Sequence, residues 1–171
     1  MTEFESALNT ASPYDALPTV PSFTLTSEDL TEGGRMPSAH VAGEGNQSPQ
    51  LSWSGAPEGT QGYAITCFDP DAPTGSGWWH WFVLNVDVDT TSVARGELPA
   101  GAYCLRNDLG NSQYDGAAPP PGHGTHRYIF AVHALDQADL GVPADATPAV
   151  GGFNLTFHTL ARAVLTASYS H

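Results

Sequence analysis

Lysine is absent from this 171-residue chain, and its cationic side chains are five arginines against 18 carboxylates, for a formal net charge of −13. A nucleic-acid footprint needs clustered basic residues. Arg35, Arg95, Arg106, Arg127 and Arg162 are scattered, so nucleic acid is not expected as a partner. Anionic membrane surfaces are disfavoured on the same ground. The acidity reads as a solubility device in a salty or crowded cytoplasm, not as a site for one cationic partner. Apolar runs are also short: none approaches the roughly 20 residues of a membrane span. Residues 1–17 are polar and acidic and lack the basic-then-apolar pattern of a secretory signal, so the expected location is cytoplasmic. Cys67 and Cys104 are the two cysteines, without C-x-x-C spacing, and are expected as buried free thiols within strands.

What is present points to β-structure. A hydrophobic content of 40% suffices for a folded core, and 18 glycines with 14 prolines argue for many turns and against a helical bundle. Residues 1–20 read as a loosely ordered arm interrupted by Pro13 and Pro18, ahead of a single domain over 21–171. Short strands are expected near 22–26 and 51–53. The stretch 63–69 alternates, with Tyr63, Ile65, Cys67 and Asp69 on one face. The stretch 80–87 is apolar on both faces, as in a central strand: Trp78, His80, Phe82, Leu84 and Val86 on one, Trp79, Trp81, Val83 and Asn85 on the other. Strands are also expected near 102–105 and over 126–135, separated by a long loop at 107–124 whose aromatic and histidine content suggests function. Phe157, Leu160, Ala161, Val164 and Leu165 have helical spacing and predict a C-terminal helix, with a weaker helical piece at 144–150. Strands followed by helices imply a mainly β domain, an antiparallel sheet with peripheral helices.

Two clusters carry chemistry. The first is Asp69-Pro-Asp-Ala-Pro-Thr-Gly-Ser-Gly-Trp-Trp-His80 and the second is Pro119-Pro-Pro-Gly-His-Gly-Thr-His-Arg-Tyr128. A connection of about ten residues between strands 63–69 and 80–87 suits an antiparallel hairpin. Asp69 and His80 then share one rim of the sheet, with Asp71 just beyond. If strand 126–135 runs in the same direction as strand 80–87, His126 reaches that rim and Tyr128 lies one pleat inward. Two histidines oriented by Asp69 and Asp71 would hold their protons more tightly and donate to an oxyanion, with Tyr128 as a further donor. Trp78, Pro119 and Pro120 would wall the pocket. Long-range repulsion from the net charge is screened beyond about 8 Å. His123 and His126 form an H-x-x-H, but with two aspartates at these spacings they match no strong zinc pattern, so neither metal nor cofactor is expected. Trp53, Trp81 and Tyr114 read as packing residues.

These motifs resemble those of the phosphatidylethanolamine-binding protein family and, within it, a bacterial Raf kinase inhibitor-like branch. The longest matches are Asp69 to Trp81 and Tyr114-Asp-Gly-Ala-Ala-Pro-Pro-Pro-Gly-His-Gly-Thr-His-Arg-Tyr128. Ser48-Pro-Gln-Leu-Ser-Trp53 and Arg106-Asn-Asp-Leu-Gly110 support them, and the resemblance spans about residues 20–170. It implies a large antiparallel sheet packed with a smaller β-sheet, peripheral helices and a small anion-binding cavity. It also implies a small anionic or phosphorylated ligand, in a monomer or homodimer. By motif position the ligand-binding residues are Asp69, Asp71, Pro73, Trp78, His80, Ala118, Pro119, Pro120, His126 and Tyr128. Gly116-Ala-Ala-Pro-Pro120 departs from the family's Gly-Pro-Cys-Pro-Pro or Gly-Ser-Gly-Pro-Pro, and the Ala118 methyl narrows the cavity where other members carry glycine. Phosphate or head-group binding without turnover is the preferred function. Phosphoester or ester hydrolysis in the same pocket is an alternative, although no G-x-S-x-G elbow accompanies it. Docking as a kinase or protease inhibitor is a third reading, implied by the resemblance alone.

Overall fold

A computed structural model describes residues 11–171. Among these the strands are β1 Thr24–Thr26, β2 Leu51–Ser54, β3 Gly62–Asp69, β4 Trp78–Asp87, β5 Ser92–Val93, β6 Tyr103–Cys104, β7 His126–Leu135 and β8 Thr159–Tyr169. A single α-helix, α1, spans Pro148–His158 among the described residues. The order β6-β4-β3-β7-β8 forms a five-stranded sheet and β1-β2-β5 a three-stranded one, with every strand pair antiparallel. This is the expected architecture of a large antiparallel sheet packed with a smaller one.

The two sheets enclose the main core. Ile65 and Cys67 of β3, Trp81 and Val83 of β4, and Phe130 and Val132 of β7 belong to one cluster with Leu25, Leu51, Trp53 and Val93 of the small sheet. The outer face of the large sheet is covered in part by α1, where Leu155 joins Ala64, Phe82, Leu84 and Leu135. A Cβ on Gly151 would lie 2.7 Å from Leu105 Cδ1 and Phe82 Cζ, so this glycine lets the helix approach the sheet closely. Trp53, Trp81 and Tyr114 are buried packing residues as expected, and Cys67 and Cys104 are buried free thiols.

β4 is buried on both faces but does not alternate strictly. Its pairing with β3 shifts between Cys67↔Trp81 and Phe68↔Trp79, and again between Tyr63↔Val86 and Ile65↔Val83. Each shift inserts one extra residue, the mark of a β-bulge, which re-aims a side chain. At the first bulge His80 turns to the inner face, where its ring meets Tyr128 at 5.2 Å, while Trp79 packs on Phe82 outside. At the second, Asn85 adopts a positive φ of 64° and Val86 joins Trp81 and Val83 in the inner core. The expected faces, with His80 and Val86 beside Phe82, are therefore corrected.

The helix expected over 157–165 is likewise corrected. α1 starts at Pro148, with the Thr147 side chain accepting from the Val150 N–H, and ends at His158. Residues 159–169 instead pair with β7 along its whole length, from His126↔Tyr169 to Leu135↔Thr159. Ala161, Ala163, Leu165, Ala167 and Tyr169 face the core with a period of two. Phe157 is 67% exposed and Val164 41% exposed, although the helical pattern would bury both. A long partner strand overrides the local helical spacing.

Of the expected N-terminal arm, residues 1–10 lie outside the described residues. Beyond them Pro13–Ala16 forms a 3-10 turn capped by Ser12, and the Tyr14 ring stacks 4.2 Å from the Arg162 guanidinium of β8.

Because period two, not 3.6, governs β8, Leu165→Ala should cost about 2–3 kcal/mol and Val164→Ala less than about 0.5 kcal/mol. Urea unfolding of the two variants checks this.

Candidate functional site

β3 ends where β4 and β7 begin, so Asp69, His80 and His126 come to one rim of the large sheet. A cavity of about 240 Å³ opens there. Its wall contains Asp69, Pro73, Trp78, His80, Ala118, Pro119, Pro120, His126 and Tyr128. Asp71, expected beside them, is turned away. Its carboxylate accepts from the backbone N–H and Nε of Arg127 at 2.9 Å each, and from Nη2 at 2.9 Å. Arg127 follows His126 in an extended strand, so its side chain leaves on the opposite face and takes Asp71 with it. Asp71 therefore orients no histidine.

Each imidazole is fixed by an acceptor that dictates its tautomer. Asp69 Oδ2 accepts from His126 Nδ1 at 2.7 Å, and Asp69 Oδ1 accepts the Asp71 N–H at 2.7 Å. A proton also lies between His126 Nε2 and His123 Nδ1, which are 2.6 Å apart. The result is a chain Asp69–His126–His123 running from the buried floor to an exposed loop. The Asp115 carbonyl oxygen accepts from His80 Nδ1 at 2.8 Å, so the His80 Nε2 lone pair is the free edge of the neutral ring. Burial pulls His80 below its ordinary pKa despite that hydrogen bond and the nearby aspartates. The expectation that neighbouring carboxylates raise both histidines fails at His80, where desolvation is the larger effect.

Tyr128 is the clearest donor. Burial, and next the charge of Asp69, push its phenol far above the ordinary value, so the O–H stays protonated. Its Oη is buried, approaches the Ala118 backbone without hydrogen-bond geometry, and has no partner among the described residues. An orphaned hydroxyl on the wall of a cavity is a donor held ready for something that enters.

Behind the wall, sequence reasoning missed an amide cage. The Asp115 carboxylate accepts from Asn107 Nδ2 at 2.7 Å, Asn111 Nδ2 at 2.9 Å, Gln113 Nε2 at 3.0 Å and Asn46 Nδ2 at 3.2 Å. Burial would raise this carboxyl, but the four donors outweigh it and hold the pKa below its ordinary value. The cage aims the Asp115 carbonyl at His80. Asn46 Oδ1 also accepts the Gly116 N–H at 2.7 Å, and a Cβ on Gly116 would fall 2.0 Å from the His40 carbonyl oxygen. The signal available was the run of Asn and Gln over 107–113, adjacent to a buried acid.

A sequence model described as Phosphatidylethanolamine-binding protein matches residues 26–170. The chain belongs to the phosphatidylethanolamine-binding protein family. The UPF0098 protein YbhB of Escherichia coli is 48% identical over 157 residues, 85% of this chain and 99% of the relative. The crystal structure of Escherichia coli YbcL, described as a new member of the mammalian PEBP family, superposes with a TM-score of 0.85 at 39% identity, covering 88% of this chain and 99% of YbcL. The Chlamydia trachomatis homologue CT736 gives a TM-score of 0.78 at 27% identity, covering 88% and 98%. In this member of the family, Ala118 stands on the cavity wall, so its methyl group occupies space that a glycine would leave open.

Asp115→Leu leaves four amide donors unmet and should destabilise the fold by about 3 kcal/mol at neutral pH. A depressed carboxyl stabilises above its unfolded pKa of about 3.9, and this contribution is lost as pH falls through the folded value. The gap between wild type and variant in denaturant unfolding should therefore narrow below about pH 4.

Proposed function

We propose that the rim cavity binds a small anion, inorganic phosphate or a phosphorylated head group, without turnover. The observation that supports this most directly is Tyr128 Oη, a protonated and buried hydroxyl on a residue of the cavity wall, with no hydrogen-bond partner among the described residues. The oxygens of the two local carboxylates are already engaged, although their charge remains and the donors must outweigh it. Asp69 is held by His126 and the Asp71 N–H, and Asp115 by its amide cage. An anion would accept a hydrogen bond from the Tyr128 hydroxyl and, with the ring as imidazolium, from His126 Nε2–H in place of His123, whose ring sits on the exposed loop. His80 Nε2 would accept from a protonated phosphate oxygen or donate once protonated. Trp78, Pro119 and Pro120 supply apolar edges that suit the carbon chain of a head group. The two free thiols fit a reducing cytosol.

A second reading draws on the Asp69–His126–His123 chain, which could move a proton during phosphoester or ester hydrolysis. It predicts release of p-nitrophenol from a p-nitrophenyl ester or phosphate that is abolished in His126→Ala.

Calorimetric titration with phosphate and phosphoethanolamine tests the first reading. Saturable binding should weaken roughly ten- to a hundredfold in Tyr128→Phe, the value of one hydrogen bond to a charged acceptor. An unchanged affinity would sink the assignment. Sulfate, whose charge is constant across the range, reads the histidine. An anion favours the imidazolium, so affinity rises as pH falls. Because burial depresses His80, its share of the rise comes below about pH 6.5. His80→Gln should flatten that part of the profile.

A further inference from the structure

A second cavity, of about 340 Å³, lies on the outer face of the large sheet, between the Pro13–Ala16 turn and α1. Phe68 and Trp79 form its floor and Phe153 its helix side, with Arg162 and His133 at one end. Its size falls within the range of small-molecule sites, about 300–1,000 Å³.

The charge at that end is unbalanced. Arg162 is 8% exposed. Its Nε donates to His133 Nδ1 at 3.2 Å, and its guanidinium stacks on the Tyr14 ring. His133 Nε2–H in turn donates to Thr66 Oγ1 at 2.8 Å, so this histidine is a neutral relay and offers no charge. Arg95 and Arg127 are each paired with a carboxylate, Asp29 and Asp71, yet among the described residues no carboxylate pairs with Arg162. In a chain of net charge −13 this is a conspicuous gap, because buried cations are ordinarily matched by an anion. On the α1 side the lining is apolar, whereas a hollow on the other side of Arg162 is lined by Ser12, Asp15, Thr19 and Ser22. Phe153 is 66% exposed at the mouth of the cavity and in ring contact with Phe157 at 5.0 Å. Exposed aromatic surface beside a buried, unmatched guanidinium is complementary to an amphiphilic anion.

We propose that this cavity binds a small organic carboxylate, its apolar body between Trp79 and Phe153 and its carboxylate on the terminal nitrogens of Arg162. A planar guanidinium matches a carboxylate in bidentate geometry. One cation with aromatic walls suits a monoanion with a hydrocarbon body better than a multiply charged phosphate. The site is separate from the rim cavity and stands or falls independently of it.

The test is an NMR titration of the full-length, nitrogen-15-labelled protein with 3-phenylpropionate and, separately, with its neutral amide. Saturable shifts are expected at the Trp79 indole N–H and the Gly152 amide, with the acid binding at least tenfold more tightly than the amide. Arg162→Met should erase that preference. Gly152→Leu fills the cavity from α1 without touching Arg162, and a Cβ there meets only Trp79 Cζ2, at 3.9 Å, so the fold should survive while binding of both probes is lost. Equal affinity for acid and amide, an undiminished preference in Arg162→Met, shifts confined to Asp69, His126 and Tyr128, or no saturable shift would each overturn the proposal.

Discussion

β3 is hydrogen-bonded antiparallel on both sides, to β4 and to β7. That pairing forces the residues that end β3 to lie beside those that begin its neighbours. Asp69, His80 and His126 are far apart along the chain and share a rim for this reason alone. The long loop over residues 107–124 then returns across the rim and supplies Asp115, Ala118 and the prolines. The outer cavity depends on the same strands, because Phe68 and Trp79 are cross-strand partners on the opposite face.

The acidic character of the chain is managed locally. Asp71 goes to Arg127, Asp29 to Arg95, Asp69 to an imidazole, and Asp115 to four side-chain amides. Each solution leaves a different chemistry behind it. The Asp69 pairing orients a ring that faces the cavity. The amide cage keeps Asp115 ionised without a cation and frees its carbonyl to hold His80. With these carboxylates engaged, the rim cavity presents a phenol, imidazole edges and apolar walls. Bulk charge beyond about 8 Å is screened.

Much of this was legible in the residues. Alternation in 63–69 and 126–135 is clean, and a short connection after Asp69, eight residues in the structure, leaves little besides a hairpin, so the approach of Asp69 to His80 could be read from the sequence, whereas the arrival of His126 hung on a strand direction that the residues do not encode. What could not be read depends on events that alternation does not encode. The His80 bulge is invisible because tryptophans on both sides of it look equally at home on either face. The C-terminal strand was mistaken for helix because Leu160, Ala161, Val164 and Leu165 satisfy a helical spacing, and only the ten-residue partner strand decides against it. Asp71 looked like a partner for histidine because its attachment to Arg127 requires knowing on which side of β7 that arginine emerges. The amide cage joins Asn46 to residues more than 60 positions away, beyond the reach of local pattern.

The two irregularities in β4 have a joint consequence. Each adds a single residue against β3, so together they restore the strand's parity: Trp78 before the first and Val86 after the second face the same side, as if neither existed. Each bulge absorbs its own insertion, so loss of the extra residue at either one leaves Trp81 paired with Cys67 and Val83 with Ile65, in the layer they already occupy. The two sites therefore tolerate a one-residue change independently of each other, and a homologue that lacks one extra residue is free to keep the other.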